Sequence, residues 1–185
     1  MGSDHIFVEL KKDVSPSRYQ HILGVIKIAE RLAKRHGVNV ERAGLAAALH
    51  DCGKFETFSA QRCALRRYRV SLDPIERATP SLWHARLGEE LAKRRYGVTD
   101  RAVLRAIRVH TTADTKMTPL DMVLFLADAL EPGRRYPGVD RLRKIALRSL
   151  KDAFRETLKM KMVNLLTKYR LIHPRAWSAW NWINK

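Results

Sequence analysis

The chain has 185 residues and is 45% hydrophobic, enough for one domain with a sizeable core. Its 36 Lys and Arg against 19 Asp and Glu leave a formal charge of +17, a field that attracts nucleic acid, nucleotide polyphosphates or acidic membrane surfaces. No apolar run approaches the roughly 18 residues of a bilayer span, Met1–Lys12 lacks a signal peptide's apolar core, and Cys52 and Cys63 are too few for a disulfide framework. A soluble, cytoplasmic protein is the expectation. The basic residues are spread over most predicted helices instead of one tract, so a solvated basic surface is the first reading and nucleic-acid binding the second.

Residues 1–14 read as an N-terminal extension. Ser15-Pro16 then places a capping residue before a first-turn proline, and Tyr19, Ile22, Leu23, Ile26, Ala29 and Ala33 recur at helical spacing up to Gly37. His21, Val25, Ile28 and Leu32 form a neighbouring stripe, which sets His21 inward or at the edge of the core. Asn39 caps a second helix from Val40 to His50, whose small residues let other backbones approach, and Gly53 is expected to end it. A third helix is predicted from Ser59 to Arg69. Asp73-Pro74 and Thr79-Pro80 mark a loop, followed by a helix from Trp83 to Tyr96 that Gly97 closes.

Thr99-Asp100 caps a fifth helix with Val103, Ile107 and His110 along one face. Thr118-Pro119 opens a sixth, Leu120 to Leu130, apolar nearly all round and so the most buried; Asp121, Leu124 and Asp128 share one of its faces. Asp140 starts another helix, and Ser149-Leu150-Lys151-Asp152 has the form of a capping box opening the last long one, to about Arg170. Period-two alternation is nowhere sustained. The pattern predicts an all-α bundle in one domain over 15–175, with a Trp-rich tail at 176–185 packed on the bundle or on a second subunit of a homodimer.

The stretch Leu45-Ala46-Ala47-Ala48-Leu49-His50-Asp51-Cys52-Gly53-Lys54 delivers a histidine and an aspartate side by side at the end of an apolar helix. Burying that pair is costly unless each side chain has a partner, so it asks for a metal or a dense hydrogen-bond network. His21, His84, His110 and Asp128 lie on four other predicted helices, and bundle proteins build metal sites in this way. Mixed imidazole and carboxylate ligands favour a transition metal over calcium. Each residue alone has a plainer reading, as a core or capping histidine or an Arg-paired aspartate. The metal reading rests on their joint pattern.

The order His21, His50-Asp51, His84, His110, Asp128 resembles the HD-domain phosphohydrolases, and closely the YqeK-type bacterial enzymes that split diadenosine tetraphosphate symmetrically. The likeness is carried by Ser15-Pro16-Ser17-Arg18-Tyr19-Gln20-His21, Leu49 to Lys54, Ser81-Leu82-Trp83-His84, Ile107-Arg108-Val109-His110-Thr111-Thr112, Phe125-Leu126-Ala127-Asp128, Glu131-Pro132-Gly133-Arg134 and Ile172-His173-Pro174. The high basic charge and the tail depart from that family's pattern.

The resemblance implies that His21, His50, Asp51 and Asp128 hold iron (Fe2+ or Fe3+), with Mn, Co or Mg as substitutes. It implies that His84 and His110 complete a second metal position or bind phosphates. Asp51, Lys54, His84 and His110 are the implied catalytic set. Arg18, Lys54, His84, His110, Thr111, Thr112, Arg134 and His173 are the implied contacts to a nucleotide substrate or to an ADP- or GDP-like product. The plainer readings are a solvated Arg18, an Arg134 that answers a helix dipole, and a Thr111-Thr112 and a His173 that only end helices. The rival functions are another HD-domain nucleotide phosphohydrolase or phosphodiesterase, and a basic RNA- or ribosome-binding module with a vestigial site.

Overall fold

The computed structural model describes residues 3–185, which form helices joined by turns, with no strand among the described residues. The N-terminal segment is itself a helix, α1 (Ser3–Asp13). Its Leu10 is fully buried, and Asp13 accepts from Tyr96 Oη at 2.6 Å and pairs with Arg95. In α2 (Pro16–Arg35) the Ser15 hydroxyl accepts from the Arg18 amide at 3.3 Å. The buried face of α2 merges the two sequence stripes as Ile22, Val25, Ile26, Ala29, Leu32 and Ala33, while Leu23 turns outward. Asn39 caps α3 (Val40–Leu49), and buried Ala43, Gly44, Ala46 and Ala47 let its neighbours come close.

After α4 (Phe58–Arg67), the stretch read as loop contains a short helix, α5 (Pro74–Ala78). Asp73 and Glu76 close a full capping box around it. A single 3-10 turn then leads into α6 (Trp83–Arg94). Asp100 caps α7 (Arg101–Val109), and Thr118 with Asp121 forms the capping box of α8 (Pro119–Leu130). From Leu120 to Leu130 every residue of α8 except Asp128 is buried. The chain ends with α9 (Val139–Ala146), α10 (Leu150–Thr167) and α11 (Pro174–Ile183). The long helix stops short of Arg170 because Tyr169 adopts a left-handed φ of 52°.

α8 is the axis. It packs against α2, α3, α7 and α10, while α6 lies on α7, and α11 lies on α10. A large apolar cluster fills the α2–α3–α7–α8 side. A smaller one joins Phe125, Phe154, Leu158 and Met162 to Ala176 and Ala179 of α11. There the Phe125 and Phe154 rings meet edge to face, with centroids 5.1 Å apart, a geometry worth about 1 kcal/mol beyond burial. Trp180 and Trp182 of the tail pack on this second cluster, and Trp177 stays exposed.

Gly53 differs from expectation. It is absent from the positive-φ glycines, which are Gly37, Gly97 and Gly138. Its need is for space: a Cβ there would lie 2.4 Å from the His84 carbonyl oxygen and 2.6 Å from the Gly88 amide nitrogen. No helix of the described residues is long and apolar enough to cross a membrane.

Candidate metal centre

The ligand candidates sit where helices end around α8. α2 contributes Arg18 and His21; His50 and Asp51 follow α3 directly; His84 occupies the first turn of α6; His110 caps α7; Asp128 lies in the last turn of α8. Two triads result, His21–His50–Asp51 and Asp51–His84–His110, with donor atoms of each within 4.8 Å of one another. Asp51 belongs to both. Its Oδ2 faces His21 Nε2 at 3.8 Å and His50 Nε2 at 3.6 Å, while its Oδ1 faces His84 Nε2 at 3.4 Å. Asp128 Oδ1 lies 3.4 Å from His21 Nε2.

The backbone fixes which imidazole nitrogens look inward. His50 Nδ1 donates to the Ala47 carbonyl at 2.7 Å, and His110 Nδ1 donates to the Ile107 carbonyl at 2.7 Å. His21 Nδ1 donates to Glu131 Oε1 at 3.3 Å. Each ring therefore aims an Nε2 lone pair at the centre. His21 Nε2 and His50 Nε2 stand 3.3 Å apart, lone pair against lone pair, and an ion bonded to both removes that repulsion. Metal–ligand bonds of about 2.1 Å at right angles place neighbouring donor atoms about 3 Å apart, close to the separations found here. The residues fit a divalent cation.

Charge supports the same view. Burial lowers His84 to about 4 and His110 to about 3, so both rings are neutral, the form that binds metal, near pH 7. Burial alone would raise the Asp51 carboxyl, but His50, His84 and Lys54 more than offset it and hold it below the usual carboxylate range. Asp128 is likewise raised by burial and carried well below that range by the neighbouring His21 ring and Lys161.

Cations border the cluster. Arg18 Nη1 donates to Asp51 Oδ2 at 2.6 Å, and Lys54 Nζ stands 3.8 Å from the same oxygen. Arg134 donates from Nε to the Asp128 carbonyl at 2.9 Å and from Nη2 to Asp128 Oδ1 at 2.6 Å. Two further residues escape a reading by sequence alone. Glu131 stands in the sequence only as part of the Glu131-Pro132-Gly133-Arg134 likeness, yet its carboxylate backs His21, the arrangement that fixes a ligating imidazole's tautomer. Lys161 was one cation among many; its Nζ rests 4.1 Å over the Phe125 ring, within the field of Asp128.

Of the other residues expected at the substrate, His173 and Thr112 have hydrogen-bond partners within the fold. His173 caps α11, accepting from the Arg175 amide at 3.1 Å, and its Nε2 bonds Asp73 Oδ2 at 2.8 Å. Arg175 adds a 3.5 Å contact to Glu76 Oε1, whose carbonyl accepts from Trp83 Nε1 at 2.7 Å, so α11 is latched through α5 to the start of α6. Thr112 spends its hydroxyl on the Ala113 carbonyl at 3.0 Å. Thr111 is half-buried beside His110. Asp121, on the ligand-bearing helix, is taken up by its capping box and by Arg105.

Residues 18–133 match the HD domain model, and the chain belongs to the HD-domain family. Its relatives include proteins named "Bis(5'-nucleosyl)-tetraphosphatase, symmetrical". The one from Bacillus subtilis is 34% identical over 183 residues, covering 99% of this chain and 98% of that protein. The one from Halalkalibacterium halodurans is 36% identical over 172 residues, covering 93% and 91%. A crystal structure described as a "predicted HD superfamily hydrolase involved in NAD metabolism", from Clostridium acetobutylicum, is 31% identical. It superposes with a TM-score of 0.93 over 100% of this chain and 97% of that one.

Proposed function

We propose that this chain is a metal-dependent hydrolase that splits diadenosine tetraphosphate symmetrically, adding one water across the central P–O–P bridge to release two ADP. The observation that carries this reading is the pair of triads meeting at Asp51 with cations on their border. They sit in a chain aligned almost end to end with symmetrical tetraphosphatases. We assign the ion to His21, His50, Asp51 and Asp128, with His84 and His110 completing a second position across Asp51. Iron is the proposed ion, since imidazole and carboxylate together suit it; manganese, cobalt and magnesium are substitutes. When bound, such an ion supplies Lewis acidity and a more acidic water.

The chain's own groups do the rest. Arg18, Lys54 and Arg134 hold the tetraphosphate oxygens, with arginine's planar fork suited to two of them at once. Lys161 adds positive charge on the α10 side. The positive charge of Arg18 and Lys54 offsets the charge that develops on the leaving phosphate oxygen, while neutral His84 and His110 keep Nε2 for the second ion. Glu131 keeps the His21 lone pair aimed inward. The complete ligand set favours hydrolysis over a basic RNA-binding module. Unpaired Cys52 and Cys63 agree with a reducing cytoplasm as the setting we assign.

Incubation with diadenosine tetraphosphate, product identification and elemental analysis test this together. ADP is expected as sole product, with metal in the protein. His50→Ala and Asp51→Ala should lose metal and turnover while circular dichroism stays helical. AMP plus ATP as products, or full turnover in either variant, would refute the assignment.

A further inference from the structure

We infer that the cavity between the α1–α2 junction and residues 54–58 seats one nucleoside of the substrate, with Phe55 and Phe58 as the surfaces on which its base stacks. The inference rests on the tetraphosphate reading and adds the subsite that recognises the nucleoside.

The cavity encloses about 630 Å³, inside the roughly 300–1,000 Å³ span of small-molecule sites. Its walls include Lys12, Arg18, Lys54, Phe55 and Phe58. Arg18 and Lys54 are also the two cations that reach Asp51 Oδ2. A chain of phosphates leaving the metal centre past those side chains therefore enters this cavity, with Lys12 further along for the phosphate nearest the sugar. Neighbouring cavities lack that continuity. One of about 500 Å³ beside Cys52 and Tyr96 shares Lys54 but not Arg18, and one of about 600 Å³ beside Thr79 and Leu171 shares neither.

The aromatics supply the second half of the argument. Phe125 and Phe154 are fully buried, whereas Phe55 is 39% and Phe58 57% exposed, three residues apart around Thr57, the cap of α4. Paired exposed aromatic faces beside a wall where Lys12, Arg18 and Lys54 outnumber Asp13 and Glu56 mark a place for a flat, anion-tailed ligand. The Phe58 ring is braced edge to face on Trp83, with centroids 6.2 Å apart, so it is held in place before a base arrives. Stacking accepts any base with a π-face, so the subsite takes guanosine as readily as adenosine.

Calorimetric binding of ADP and of inorganic pyrophosphate to the metal-loaded protein tests this. Phe55→Ala and Phe58→Ala should each weaken ADP about tenfold, the order of one lost base–aromatic stack. Pyrophosphate should stay within twofold, and Phe55→Trp should keep ADP affinity. Unchanged ADP affinity in both alanine variants, or pyrophosphate weakened in parallel, overturns the subsite. So does a wild-type protein that binds ADP no more tightly than pyrophosphate. The two readings fail separately. Intact diadenosine tetraphosphate after incubation with wild type sinks the hydrolysis while an ADP-specific loss keeps the subsite; normal turnover with unchanged KM in both alanine variants does the reverse.

Discussion

Replacing Gly53 by alanine tests whether the seam between the Asp51 turn and α6 sets the site's geometry. The new Cβ would lie 2.4 Å from the His84 carbonyl oxygen, 2.6 Å from the Gly88 nitrogen and 3.1 Å from the Gly88 Cα. Contacts between such atoms are comfortable at about 3.5 Å, so the turn must retreat from α6 by about 1 Å. All three obstacles are backbone, and no rotamer change relieves them. Overpacking of this kind costs about 1–3 kcal/mol, and with a Tm loss of about 2–4 °C per kcal/mol the midpoint should fall by roughly 2–12 °C. The larger effect should be on turnover. His84 Nε2 and Asp51 Oδ1, 3.4 Å apart, flank the seam, and a displacement of about 1 Å can cost a hundredfold. Gly37→Ala is the control: φ is +65° there and no atom lies within 4 Å of the added Cβ. It should lose about 1–2 kcal/mol through the left-handed backbone alone, with kcat unchanged. Differential scanning fluorimetry and steady-state hydrolysis of diadenosine tetraphosphate give both readouts. Wild-type kcat in Gly53→Ala, or equal kcat losses in the two variants, would refute the reasoning.

Glu131→Gln should weaken metal binding about 10- to 100-fold by loosening His21, with KM unchanged at saturating metal; a metal titration of activity reads both, and an unshifted titration removes Glu131 from this role. His173→Ala should lower stability by about 1–2 kcal/mol through the lost cap and Asp73 bond, leaving KM within twofold, whereas a raised KM would return His173 to the substrate. The metal-free protein should lose stability as pH falls from about 6.5 towards 4. His84 and His110 titrate near 4 and 3 when folded but near 6.5 when unfolded, so in that window only the unfolded chain takes up their protons. Melting points between pH 7.5 and 4.5 measure this, and a flat profile, or one that His110→Asn leaves equally steep, contradicts it.

Local chemistry was legible in the chain. Ser15, Asn39, Asp100, Thr118 and Ser149 each accept an amide hydrogen from the first turn they precede, because a cap depends only on its nearest residues. The imidazoles and carboxylates that the fold brings together could be picked out because such groups are out of place on apolar helix faces. Roles set across helices were hidden. Gly53 reads as a helix end until α6 is seen against it, and Glu131 has no role of its own until His21 turns towards it. His173 stands beside a proline in either reading, and only its Asp73 partner, a hundred residues away, shows it to be a latch. Lys161 has no sequence signal, since its neighbourhood is made by α8 packing on α10.

The bond from α11 to α5 bears on how the centre is held. His173 and Arg175 follow every candidate ligand in the chain, yet through Asp73 and Glu76 they brace Trp83, the residue before His84. α2, α3 and α8 carry their part of the centre without that latch, whereas the turn that leads into His84 leans on the last helix. A chain clipped before residue 173 would lose that brace on Trp83 and hold His84 less firmly, while His21, His50 and His110 keep their bonds to Glu131, Ala47 and Ile107.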